Sequence, residues 1–91
     1  MGYELYIYSC KKCRDVERSL DDRNIPYEEF NIKSKFGRER FSVLVKFLGE
    51  YLYHPDEKSK KRMMDFPILI KRSNSELKLM AQGDRIMHMI L

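Results

Sequence analysis

The spacing of apolar residues changes from a strand period to a helix period near residue 10. Residues 3–8 alternate, and both of their faces carry aromatic or aliphatic side chains, which is typical of a strand covered on both sides. From Lys11 the pattern predicts a helix with one apolar face: Cys13, Val16 and Leu20. We expect the opposite face to be exposed: Lys12, Arg14, Asp15, Arg18 and Asp22. The end of this helix is predicted by Asn24, which can end a helix in the left-handed backbone conformation, and by Pro26 after it.

The next segments repeat the order of strand and helix. Residues 27–32 alternate and predict a second strand. Because a helix separates the two strands, we expect them to be parallel in a right-handed βαβ unit. A second helix after residue 35 has four residues in its apolar stripe: Phe41, Leu44, Val45 and Leu48. Its end is open, because Gly49 could terminate it or residues 51–53 could extend it to Pro55.

The last third of the chain predicts a hairpin and a short helix. Residues 54–65 are mostly polar and are expected to form a surface connection. The apolar run 66–70 predicts a buried third strand, and the alternating residues 76–80 predict a fourth strand antiparallel to it, after a turn at 72–75. A last helix begins at Gly83-Asp84. We therefore predict one α/β domain, residues 1–91, with a four-stranded mixed sheet flanked by helices.

Composition and charge narrow the class of protein. The 91 residues suffice for one modest core, and 43% hydrophobic with 35% charged residues indicates a globular chain. It lacks a run of roughly 18 apolar residues and the order typical of a signal peptide, so we expect a cytoplasmic protein without a membrane partner. The chain has a net charge of +4, and some of its basic residues form a cluster: Lys58, Lys60, Lys61 and Arg62. No helix or aromatic stacking pattern accompanies that cluster, which argues against a nucleic-acid site.

Cys10 and Cys13 are the only cysteines, and they stand where the first strand gives way to the first helix. A CxxC at such a corner is typical of a dithiol that alternates between thiols and a disulfide. Amide N–H groups and the helix dipole at a helix N-terminus lower a cysteine pKa from about 8.5 to between roughly 3.5 and 7.5. Nearby Lys11, Lys12 and Arg14 act in the same direction. We therefore predict Cys10 as the nucleophile and Cys13, one turn further in, as the more buried resolving thiol.

The order of elements and three local motifs resemble the glutaredoxin branch of the thioredoxin fold over nearly the whole chain. The motifs are Tyr8-Ser9-Cys10-Lys11-Lys12-Cys13, then Asn24-Ile25-Pro26-Tyr27-Glu28-Glu29-Phe30-Asn31-Ile32, then Phe66-Pro67 with Gly83-Asp84. The resemblance implies a βαβαββα fold and a monomeric thiol-disulfide oxidoreductase. It also implies that the enzyme reduces a protein or low-molecular-weight disulfide without a bound cofactor. Its reductant would be glutathione or a flavoenzyme reductase.

The same resemblance implies a substrate site beside the dithiol. It implies a cis Phe66-Pro67 peptide bond and a substrate contact from the backbone of Phe66. The family usually has Pro-Tyr, Thr-Val-Pro and Gly-Gly where this chain has Lys11-Lys12, Asp65-Phe66-Pro67 and Gln82-Gly83. We expect the substrate to contact seven residues: Tyr8, Lys11, Lys12, Phe66, Pro67, Gly83 and Asp84.

Some of these residues have a second interpretation. Tyr8 could gate the thiols or merely pack, and Asp84 could bind a ligand amine or cap the last helix. The methionines are expected to fill the core, with some lining an apolar groove. The whole chain also has an alternative interpretation as a non-catalytic binding module, in which the basic cluster docks an acidic partner and the CxxC is a structural or metal site. Zinc would need two further ligands, for which the chain offers His54 and His88.

Overall fold

The computed structural model describes residues 2–8, 10–55, 62–64, 66–73 and 76–90. Six strands and three helices follow one another in these ranges: β1 (Gly2–Ile7), α1 (Lys11–Asp22), β2 (Tyr27–Asn31), α2 (Lys35–Leu52), β3 (Tyr53–Pro55), β4 (Arg62–Met64), β5 (Ile68–Ser73), β6 (Glu76–Gln82) and α3 (Asp84–Ile90). No helix among the described residues has the length and apolar character needed to cross a membrane.

Four strands form one mixed sheet in the order β2-β1-β5-β6. β1 and β2 are parallel, whereas β5 is antiparallel to both β1 and β6. The predicted mixed sheet, the parallel first pair and the C-terminal hairpin are therefore confirmed. The third strand differs from its prediction in its bounds: Phe66 and Pro67 precede it, while Arg72 and Ser73, expected in the turn, belong to it.

The predicted surface connection over residues 54–65 contains strand residues that the sequence analysis did not predict. α2 continues past Gly49 to Leu52, and β3 then pairs with β4 as a separate two-stranded antiparallel sheet. Tyr53 is opposite Met64, and Pro55 is opposite Arg62 at the end of the ladder. A proline is tolerated at the end of so short a ladder, and strands of three residues are too short to show a period in the sequence. Residues 56–61 lie outside the described ranges.

The alternation of β1 divides the core between the two faces of the sheet. Leu5 and Ile7 face α1 and α3 in a cluster that includes Cys13, Val16 and Leu20. Tyr6 faces α2 in a second cluster that includes five other buried residues: Phe30, Leu44, Leu52, Ile68 and Ile70. Both faces of β1 are therefore covered, as the sequence predicts. The predicted apolar faces of α1 and α2 are also confirmed, and the polar face of α1 is exposed.

The end of α1 follows from its capping residues. Asn24 has a φ of 56°, in the left-handed region, which confirms the predicted stop. Its N–H donates to the Asp21 carbonyl, and the N–H of Ile25 donates to the Leu20 carbonyl. These two hydrogen bonds form a Schellman motif, and Ile25 packs on the cluster that contains Leu20. α1 is therefore held at a defined length, with its N-terminus at the cysteine pair.

The start of α2 depends on a glycine that the sequence analysis did not single out. Ser34 precedes the helix, its hydroxyl donates to the Asn31 carbonyl, and it accepts from the N–H of Gly37 at 3.0 Å. A Cβ on Gly37 would lie 1.8 Å from the Asn31 carbonyl oxygen, which no real atom can occupy. Glycine at this position therefore lets the first turn of α2 pack against the end of β2.

Candidate functional site

Cys10 is the N-cap residue of α1, as predicted. Its backbone is extended, with φ −100° and ψ 164°, and its carbonyl accepts the first helical hydrogen bond, from Arg14 at 3.2 Å. Its Sγ accepts a hydrogen bond from the Cys13 backbone N–H at 3.1 Å. The sulfur therefore occupies the place of a capping side-chain oxygen, facing amide groups that carry the positive end of the helix dipole.

Cys10 and Cys13 form a disulfide, with their Cα atoms 5.1 Å apart. Cys13 is only 1% exposed and packs in the cluster of Val16 and Leu20, whereas Cys10 is half-buried at the edge of that cluster. The prediction that Cys13 is the more buried cysteine is confirmed. An incoming thiolate or disulfide can therefore reach Cys10 more readily than Cys13.

An aromatic wall, formed by Tyr8, Phe66 and Phe41, continues from the end of β1. The Tyr8 ring meets the Phe66 ring edge-on, with centroids 4.9 Å apart, and Phe66 lies 5.7 Å from Phe41 on α2. Tyr8 keeps 41% of its surface exposed even though its ring packs on Phe66. Phe66 contacts both core clusters, so it joins the dithiol side of the sheet to the α2 side. The structure thus shows Tyr8 in a packing role while leaving much of its ring accessible.

The Phe66-Pro67 peptide bond is cis, which confirms the expectation from the resemblance. Pro67 is fully buried, and its carbonyl accepts a hydrogen bond from the Gly83 N–H at 2.8 Å. Gly83 has a φ of 56° and directly precedes α3. The structure therefore links Pro67 to Gly83 and places Phe66 beside Tyr8. The side chain of Asp84, and with it the choice between cap and ligand, lies outside the described part.

Lys11, Lys12 and Arg14 are exposed on the first turn of α1. Lys12 also lines a cavity of about 270 Å³ between α1 and α3, together with Asp15, Val16, Arg18, Ser19 and Met87. Met80 and Met89 line another cavity, beside Tyr51 and Arg85. Met80 and Met87 pack against the core cluster of Leu5 as predicted, whereas Met89 is 41% exposed. The basic cluster at residues 58–61, together with the side chain of Arg62, falls outside the described part of the chain.

The sequence analysis did not identify two ionisable groups, Glu17 and Glu4. Burial raises the pKa of Glu17, and a hydrogen bond and negative charge from Glu29, with a further charge from Asp21, raise it to about 7. On the other face of the sheet, Glu4 is 3% exposed inside β1. A charged residue in a strand covered on both faces needs a buried partner, and this requirement was the available signal for Glu4. Its partners are Tyr6, Arg40 and Arg72.

The metal alternative depends on ligands that could join the two cysteines. They contain no group of three or more His, Cys, Asp and Glu side chains placed to hold a metal ion. His88 is exposed on α3, and the side chain of His54 lies outside the described part.

No protein-family model, curated protein or solved structure matches this chain.

Proposed function

We propose that the protein is a cytoplasmic thiol-disulfide oxidoreductase of glutaredoxin-like, thioredoxin-like fold, with Cys10 as nucleophile and Cys13 as resolving thiol. One observation carries the proposal: the two cysteines are bonded to each other at the N-terminus of α1, with Cys10 at the helix cap and Cys13 in the core. A pair held in this way can change between disulfide and dithiol without moving any other element of the fold.

The proposed reaction begins with the reduced pair. The Cys10 thiolate attacks one sulfur of a substrate disulfide, the substrate S–S bond breaks, and the released thiolate takes a proton from solvent. Cys13 then loses its proton and attacks Cys10 Sγ in the mixed disulfide, which releases the second substrate thiol. Two electrons pass to the substrate, and the Cys10–Cys13 disulfide is formed. Two glutathione molecules or a flavoenzyme reductase then return the electrons.

The roles of the two cysteines follow from their surroundings. The Cys13 N–H and the helix N-terminus stabilise negative charge on Cys10 Sγ, both when it attacks and when it leaves. Cys13 needs only to reach a sulfur one helical turn away, so its burial does not prevent it from resolving the mixed disulfide. The aromatic wall of Tyr8 and Phe66 supplies apolar contact for the substrate, and Lys11 and Lys12 supply positive charge.

A coupled NADPH assay tests the proposal, run once with glutathione and its reductase and once with a thioredoxin-reductase-type flavoenzyme, on hydroxyethyl disulfide as substrate. Cys10→Ser should abolish turnover. Cys13→Ser should accumulate a mixed disulfide visible by mass spectrometry. Lys46→Ser, an exposed change on α2, is the matched control and should retain full activity. Full activity of Cys10→Ser would contradict the assignment. Stoichiometric zinc in the reduced protein without exchange activity would favour the binding-module alternative.

A further inference from the structure

A third cavity, of about 350 Å³, lies between α2 and the β5-β6 hairpin. Six of the described residues line this arginine cavity: Arg40, Val43, Phe47, Leu48, Arg72 and Leu77. Arg72 is opposite Gly2, the first residue of β1, whereas Cys10 follows the last residue of that strand. The length of β1 separates the two sites by roughly 17 Å. The arginine cavity is therefore not part of the dithiol site.

The cavity wall carries more positive charge than its buried acid neutralises. The Glu4 carboxylate accepts hydrogen bonds from the Tyr6 hydroxyl at 2.8 Å, from Arg40 Nη2 at 3.0 Å, and from Nε and Nη2 of Arg72. One carboxylate thus serves two guanidinium groups, each of which carries five N–H donors. The side chains of Arg40 and Arg72 remain 35% and 40% exposed, so both can also meet a ligand from the solvent side.

A second carboxylate, that of Glu28, acts on Arg72 from outside the cavity. Glu28 acts electrostatically on Arg72, but it is on β2, which lies on the far side of β1 from β5. Glu28 is exposed and does not line the cavity. Among the described residues, the charged side chains that line the cavity are therefore those of the two arginines.

The rest of the lining is apolar and unusually exposed. Phe47 is 70% exposed and Val43 is 48% exposed, although Leu48 and Leu77 beside them pack on the core. Large apolar side chains grouped at a cavity mouth are typical of a binding site. A ligand that matches these walls has an apolar chain or ring, and one that matches the arginines has a single negative charge. The cavity volume lies in the range of about 300–1,000 Å³ found for small-molecule sites.

We propose that the arginine cavity binds a small organic monoanion, a carboxylate attached to an apolar chain or ring. The carboxylate pairs with Arg40 and Arg72, and the apolar part covers Val43, Phe47 and Leu77. A single excess charge favours a carboxylate over a doubly charged phosphate. This proposal does not depend on the activity proposed for the cysteine pair.

Octanoate is a suitable probe, and its binding can be followed in the whole chain by amide chemical shifts and by calorimetry. We expect saturable binding with one molecule per chain and with the largest shifts at residues 43–48 and 77. Acetate has the charge without the chain, octanol has the chain without the charge, and octyltrimethylammonium has the opposite charge. Each should bind at least about tenfold more weakly than octanoate, which corresponds to about 1.4 kcal/mol. Equal binding of octanol, or no saturable octanoate binding in the millimolar range, would overturn the proposal.

Two phenylalanines on α2 provide a matched pair of variants. Phe47→Ser removes a wall of the cavity, whereas Phe36→Ser removes a similarly exposed ring, 62% against 70%, that does not line it. Phe47→Ser should weaken octanoate binding about tenfold, and Phe36→Ser should leave it unchanged. Val43→Glu, which adds a carboxylate beside the arginines, should abolish octanoate binding while the variant still unfolds cooperatively. Equal losses in the two phenylalanine variants would contradict the proposed position, as would unaltered binding in Val43→Glu.

Discussion

The two ends of β1 carry polar groups arranged in opposite ways. Beyond its last residue, Cys10 and Cys13 are three positions apart, and local helix geometry brings them together. Near its first residue, Glu4 meets Arg40 and Arg72, which are 36 and 68 positions away in the chain. The first pair needs one strand and one helix, whereas the second cluster needs α2 and the hairpin to be in place. We therefore expect the Glu4 cluster to report on the whole fold and the cysteine pair to report on chemistry.

Loss of the Glu4 carboxylate should give the largest change in stability. Glu4→Ala leaves two guanidinium groups without their buried acid, and breaking a buried ion pair costs about 3–5 kcal/mol. Because both arginines keep partial contact with solvent, we expect a loss near the lower end, about 3 kcal/mol in urea unfolding. Glu39→Ala, which removes an exposed carboxylate from α2, is the control and should change stability by less than about 0.5 kcal/mol. Equal effects of the two variants would show that Glu4 is not a structural charge.

Reduction of the Cys10–Cys13 disulfide should have a smaller effect. So short a closed loop removes little entropy from the unfolded chain, so its loss should lower the free energy of unfolding by at most about 2 kcal/mol. The measurement compares urea unfolding of the oxidised and reduced protein, with the Cys10→Ser, Cys13→Ser double variant as a reference for the reduced state. If reduction lowered the free energy of unfolding by more than Glu4→Ala does, the comparison would be reversed and the disulfide would have a structural role.

The pH dependence of stability should separate two acids on the two faces of the sheet. Burial raises the pKa of Glu4, but hydrogen bonds from Arg72 and Tyr6 and the charges of both arginines outweigh it, so the pKa lies below its usual 4.5. The stability that Glu4 contributes is therefore present above about pH 4.5 and is lost as the pH falls through its folded pKa.

The stability that Glu17 contributes should change with pH in the opposite direction. Because burial and the neighbouring Glu29 raise its pKa from 4.5 to about 7, the folded chain holds this proton more tightly than the unfolded chain. Its contribution should fall as the pH rises from about 4.5 to about 7. Urea unfolding of Glu17→Gln across that range should show a flatter profile than the parent protein. An identical profile would contradict the shift, and Asp15→Asn, exposed on the same helix, serves as control.

The smallest effect concerns the lysines beside Cys10. If Lys11 and Lys12 supply charge to the substrate, replacing both with Gln should slow the reaction of the reduced protein with an anionic disulfide, such as 5,5′-dithiobis(2-nitrobenzoate). The loss should be a few-fold at low salt and should vanish near 1 M salt, because the Debye length is then only about 3 Å. Hydroxyethyl disulfide, which is neutral, should react at an unchanged rate. An equal loss of rate for both disulfides would show that the lysines act on Cys10 itself rather than on the substrate.

Several features were predictable because they depend on neighbours in the chain. The buried face of α1, its stop at Asn24 and the position of Cys10 at its cap all follow from residues within two helical turns. The parallel pairing of β1 with β2 and the antiparallel pairing of β5 with β6 also follow, from the helix between the first two strands and the turn between the last two, whereas the pairing of β1 with β5 was not predicted. The β3-β4 pair was missed, because three-residue strands show no period.

The amino-acid sequence by itself determined the alternating strands, the amphipathic helices and a cysteine pair at a helix N-terminus, because local backbone geometry and side-chain period suffice for these. Only the tertiary structure decided that Arg40 and Arg72 both donate hydrogen bonds to the Glu4 carboxylate. It also decided that residue 37 must be glycine, because the Asn31 carbonyl lies where a Cβ would be. It also decided that Phe47 remains exposed at the mouth of a charged cavity. The sequence alone does not give the distances between the segments that these contacts join. For a buried charge, that distance decides whether it is stabilised or left unpaired.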